Sequence, residues 1–67
     1  MPADSFSTDA DIIHRAYEDR IRDLFKIFAE AVQTGEPERE AVVRFQRALN
    51  TARRVREAAM EAAKPPA

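Results

Sequence analysis

The fold is decided by the four residues Thr34-Gly35-Glu36-Pro37, which interrupt a long helical pattern. Gly35 is the only glycine of the chain. Glycine tolerates the left-handed backbone conformation that commonly ends a helix, and proline suits the first turn of the helix that follows. The sequence therefore predicts two helices that fold back on each other at this turn, as an antiparallel all-α hairpin.

The first helix is expected over about residues 8–34, after a flexible tail at residues 1–7. Thr8, followed three residues later by Asp11, has the pattern of a capping box with aspartate in the usual glutamate position. From there to Gln33 the apolar residues recur at helical spacing without proline or glycine. They form two stripes, about a quarter turn apart. The first stripe is Ile13, Tyr17, Arg20, Leu24, Ile27 and Ala31, and the second is Ile21, Phe25, Phe28 and Val32.

The second helix is expected over about residues 37–63, with a flexible tail at 64–67 that contains Pro65 and Pro66. It also carries two stripes. The first is Ala41, Phe45, Ala48, Ala52, Val55 and Ala59, and the second is Val42, Leu49 and Met60, interrupted by Arg56. All 67 residues form one helical-hairpin domain in this interpretation.

The first stripes of the two helices match each other along the hairpin. If the chain reverses around Glu36, residue i faces residue 72 − i. The large residues then meet small ones in several pairs, such as Leu24 with Ala48, as interdigitated packing prefers. The same rule pairs Tyr17 with Val55, and Ile27 with Phe45.

The second stripes fall on one side of the hairpin, since antiparallel right-handed helices turn in opposite senses when viewed from one end. Together they form an apolar patch larger than soluble monomers usually expose. A chain of 67 residues without cysteine has neither disulfides nor a cysteine-ligated metal to support a small core. We therefore predict a homodimer that buries this patch in a four-helix bundle. The patch is Ile21, Phe25, Phe28, Val32, Val42, Leu49 and Met60.

The charges separate along the chain although the formal net charge is only −1. Residues 1–38 have a balance of −5 and residues 39–67 a balance of +4, which favours contact between the halves and between hairpins. No segment resembles a secretion signal or a membrane span, so we expect a cytoplasmic protein without membrane contact.

Three sets of polar residues are candidates for other functions. His14, Asp11 and Glu18 share one flank of the first helix, where a charged solvated surface is favoured over a metal site. Arg20 and Arg56 interrupt apolar stripes; they either line a site for an anion or cover apolar surface with their stems, Arg56 over Tyr17. The second reading is preferred. The third set is an outward arginine face of the second helix: Arg44, Arg47 and Arg54.

The predicted function is that of a non-enzymatic protein-interaction or structural module that self-associates. No glycine-rich loop, cysteine or second histidine supports catalysis, and no cofactor is implied. An unknown protein that covers the same patch is one alternative. RNA or DNA binding by the outward arginines is the other, although within the two predicted helices no aromatic residue stands outside the apolar stripes to stack on bases.

Overall fold

The computed structural model describes residues 8–65, which form two α-helices in contact and no strand. Helix α1 spans Asp9–Gln33 and helix α2 spans Glu38–Ala62. The prediction of an all-α helical hairpin is confirmed. The expected tail at residues 1–7 lies outside the described residues, as do residues 66 and 67 of the second tail.

Helix α1 begins at the capping box that the sequence indicates. The Thr8 Oγ1 accepts a hydrogen bond from the Asp11 backbone N–H at 3.1 Å. In return, the Asp11 carboxylate accepts one from the Thr8 backbone N–H at 3.4 Å. These two bonds satisfy amide groups that have no partner within the helix, so the helix starts one residue after Thr8.

The turn is closed by two hydrogen bonds that return to the last turn of α1. The Glu36 N–H donates to the Ala31 carbonyl at 3.0 Å, and the Gly35 N–H donates to the Val32 carbonyl at 3.2 Å. This pair of bonds is the Schellman motif, which needs a left-handed residue directly after the helix cap. Gly35 supplies it with φ of +94°.

Helix α2 starts after Pro37, which caps the helix with φ of −57° and ψ of 124° rather than lying inside its first turn. The Pro37 carbonyl accepts the N–H groups of Glu40 and Ala41, both at 3.1 Å. The Arg44 guanidinium donates to the Glu36 carboxylate at 2.6 Å and so ties the turn to α2. The helix ends at Ala62, three residues before Pro65, since a residue preceding proline disfavours helical geometry.

The interior of this hairpin is very small. Among residues 8–65, only Leu24, Ala31, Ala41 and Ala52 are buried. All four belong to the first stripes, so the helices meet along the line that the sequence predicts. The Cα atoms extend only 8 Å along the shortest axis of the molecule, because two helices side by side form a single layer. Within residues 8–65, no other element covers either broad side of that layer.

Substituting Gly35 tests the turn. We expect Gly35→Ala to lower the free energy of unfolding by about 1–2 kcal/mol, because an L-residue is strained in the left-handed region. No atom lies within 4 Å of the position that an added Cβ would occupy, so the loss comes from backbone strain alone. Urea unfolding followed by circular dichroism, at one fixed protein concentration, measures it.

Gly35→Asn is the matched variant for this measurement. Asparagine tolerates the left-handed region better than alanine does, so it should lose less stability. Equal losses for the two variants, or none for alanine, would contradict this account of the turn.

Candidate functional site: the uncovered sides of the hairpin

Two interhelical contacts fix how the helices are aligned. The rings of Phe28 and Phe45 stack with their centroids 5.0 Å apart. The Arg56 guanidinium carbon lies 4.5 Å from the centroid of the Tyr17 ring. The residue numbers of both pairs add up to 73, within one residue of the expected 72. The predicted register along the helix axes therefore holds, and so does the preferred interpretation that Arg56 covers Tyr17.

The side-chain partners nevertheless differ from the predicted pairs. Phe45 stacks on Phe28 and not on Ile27, and the cation that covers Tyr17 belongs to Arg56, one residue beyond Val55. Ile27 and Val55 remain 60% and 63% exposed. Each helix is thus rotated about its own axis, so that part of its second stripe enters the contact. The reason is side-chain size and shape: the two aromatic rings stack with an interplanar angle of 25°, and such a pair gains about 0.5–1.5 kcal/mol beyond the area that it buries.

This rotation changes how much of the predicted patch is exposed. Six of its seven residues are half-buried, and Phe25 is 58% exposed. The six half-buried residues are Ile21, Phe28, Val32, Val42, Leu49 and Met60. Nothing on this side of the described hairpin covers them further. The patch is therefore already partly buried within one chain, and Phe25 is its most exposed member.

The other broad side of the hairpin carries a shallow groove that the sequence interpretation did not single out. Its floor is formed by small residues, and Ile13, Tyr17 and Val55 stand at its edges. Position 27 lies about 160° around α1 from position 25 at 100° per residue, so Ile27 and Phe25 belong to opposite sides. The exposure of Ile27 and Val55 arises from the axial rotation, which apolar spacing alone does not reveal. The groove residues are Ile13, Ala16, Tyr17, Arg20, Ala48, Thr51, Ala52, Val55, Arg56 and Ala59.

The outward arginines do not form one continuous row. Arg47 and Arg54 line a shallow depression together with Arg53, whose Nη1 donates to the Asn50 side chain at 3.2 Å. Arg44 instead pairs with the Glu36 carboxylate at 2.6 Å. Of the three arginines predicted for a nucleic-acid face, the structure brings two together and ties the third to the turn.

The flank around His14 is an exposed helix surface. The His14 Nε2 lies 3.5 Å from the Glu18 carboxylate, and both side chains are about half exposed. Asp11 is engaged in the capping box. Within residues 8–65, no three histidine, aspartate or glutamate side chains are close enough to hold a metal ion together.

The ion pairs do not join the two helices. Within the described chain, three pairs lie inside one helix or at its end: His14–Glu18, Arg22–Asp19 and Lys64–Glu61. The fourth is Arg44–Glu36 at the turn. Between the acidic half (residues 1–38) and the basic half (residues 39–67), the described chain therefore has only the Arg44–Glu36 pair. The rest of the separated charge lies on the surface.

Comparison with protein-family models, with curated proteins and with solved structures finds no match. Neither helix in the described part of the chain is long and apolar enough to cross a membrane.

A double-mutant cycle tests the interhelical contact. We expect Phe28→Leu and Phe45→Leu to be coupled by about 0.5–1.5 kcal/mol in the free energy of unfolding, because each removes the same ring–ring interaction. The pair Tyr17→Leu and Phe45→Leu is the control, since three turns of α1 separate Tyr17 from Phe28. Additive losses for the stacked pair would show that these rings are not in contact.

Proposed function

We propose that this chain is a non-enzymatic α-helical interaction module that associates with a second copy of itself. The observation that carries the proposal is the single layer of two helices, which buries only one large side chain, Leu24, in the part of the chain that the structure describes. Small domains without disulfides or metals usually need a further subunit to complete their interior.

The apolar patch is the surface that we propose for this association. Its members include two phenylalanines, a leucine and a methionine, which are among the larger apolar side chains of the hairpin. Completing the burial of one such side chain contributes about 1.5–3 kcal/mol, less where it is already half-buried. Summed over two protomers, the patch supplies on the order of 10 kcal/mol, which opposes the entropy lost on association.

The resulting assembly is a four-helix bundle with two-fold symmetry. In such bundles each helix contacts two neighbours, so its apolar arc must be wider than the stripe needed for one neighbour. Helix α1 meets that requirement because Leu24 faces α2 while Phe25, about 100° further round, faces away from it. Two-fold symmetry also lets one patch serve as both halves of the interface.

Two substitutions on the same helix test the choice of surface. Phe25→Asp should convert the dimer to a single chain, since a carboxylate would have to be buried in the interface. Ile27→Asp is the matched control because Ile27 is similarly exposed, at 60% against 58%, on the opposite side of α1. Sedimentation or light scattering gives the mass, and circular dichroism the helix content.

The wild-type chain and Ile27→Asp should both show twice the mass of one chain. A single-chain mass for the wild type, with stable helices, would overturn self-association. Loss of the dimer in Ile27→Asp but not in Phe25→Asp would move the interface to the opposite broad side of the hairpin.

A further inference from the structure

We infer that the second copy docks with its turn at the same end of the bundle, so that α1 of each protomer packs against α2 of the other. This inference rests on the proposed self-association and specifies its geometry. Two hairpins stacked face to face by a two-fold axis have two arrangements. An axis parallel to the helices places the turns at the same end, and an axis across them places the turns at opposite ends.

The first argument is the uneven composition of the patch along the helices. Six of its seven residues lie between Ile21 and Leu49, in the half of the hairpin next to the turn. Further from the turn, the same stripes continue at helical spacing with charged side chains. On α1 these are Glu18 and His14, and on α2 they are Arg53 and Arg56, with Met60 beyond them.

This unevenness distinguishes the two arrangements. With the turns at the same end, the apolar half of one patch covers the apolar half of the other. With the turns at opposite ends and the helices fully overlapped, Phe25 and Phe28 would cover the half that carries Glu18 and His14. Burying a charge against apolar side chains without a partner is costly, so the first arrangement is favoured.

The second argument is charge complementarity at matched heights. In the same-end arrangement, residue i of α1 lies level with residue 72 − i in α2 of the second copy. Glu18 is then level with position 54, next to Arg53 of that copy. In the described hairpin Arg53 forms no ion pair with a carboxylate. Charged residues that flank an apolar seam in this way set the orientation of helical partners.

The net charges of the two whole helices are also complementary. Helix α1 contains six acidic and four basic residues, a formal charge of −2, whereas α2 contains four acidic and six basic residues, a charge of +2. The same-end arrangement places unlike helices against each other across the interface. The opposite-end arrangement places α1 on α1 and α2 on α2, where like charges meet.

Distances between spin labels in the full chain measure the arrangement. The chain has no cysteine, so a single cysteine introduced as Gln33→Cys labels one site per protomer at the turn end of α1. In the same-end dimer the two labels should lie roughly 20–30 Å apart, about the width of the bundle. In the opposite-end dimer Gln33 lies 12 residues from the middle of each α1, so the 1.5 Å rise per residue would separate the two sites by about 36 Å along the bundle axis.

Asp23→Cys, near the middle of α1, is the control site. Its labels should give a short distance in either arrangement, so it reports that a dimer has formed. A short distance at both sites supports the inference. A short distance for Asp23→Cys with a long one for Gln33→Cys overturns it while self-association stands. Absence of any intermolecular distance at either site overturns self-association itself.

Reversal of charge tests the proposed contact of Glu18. We expect Glu18→Arg to raise the dissociation constant of the dimer on the order of tenfold, because both symmetric copies of the contact become repulsive. Adding Arg53→Glu should restore most of the loss. Asp23→Arg, the same charge change away from the stripe, should alter the constant by less than about threefold. If the double variant is no tighter than Glu18→Arg alone, the two side chains do not meet in the dimer.

Discussion

The constraint on which this structure depends is that two helices side by side cannot enclose an apolar interior. A helix buries a stripe against one neighbour, and both broad sides of the pair stay open to solvent. In the part of the chain that the structure describes, that geometry leaves four buried residues, three of which are alanines. Larger side chains are present in number, but they lie half-buried or exposed on the two sides of the layer. Our proposal that a second subunit completes the interior rests on this shortage of enclosed volume.

Local features of the chain could be predicted because their causes are local. The capping box at Thr8 and the glycine turn at Gly35 depend on residues within a few positions of each other. The register of the two helices could also be predicted, since matched apolar spacing on both sides of the turn allows few alternatives. Both observed ring contacts fall within one residue of the predicted alignment.

The rotation of each helix about its own axis could not be predicted from the spacing of apolar residues along the sequence. Rotating a helix by a few tens of degrees keeps its register but changes which apolar flank enters the contact. That choice depends on shape, here the stacking of Phe28 on Phe45, and it decides that Ile27 and Val55 face solvent. The groove that Val55 lines was missed for this reason. The attraction expected between the oppositely charged halves was inferred from their net charges alone. The ion pairs that form instead join residues that are close in sequence.

The groove and the patch place different demands on a partner. The patch carries the larger side chains and continues into a charged stripe with acid on α1 and base on α2. The floor of the groove is built mainly from alanine, and Arg20 and Arg56 lie in it. Small residues let another backbone approach closely but contribute little area. Self-association through the patch therefore leaves the groove on the outer surface of each protomer.

The most direct test of the central claim is the dependence of unfolding on protein concentration. If folding and association are coupled, the urea midpoint and the melting temperature must rise with the concentration of the chain. We expect such a rise over a hundredfold range, with circular dichroism showing little helix at the lowest concentration. A cooperative transition whose midpoint stays constant across that range would show that one hairpin is stable alone, and would contradict the account.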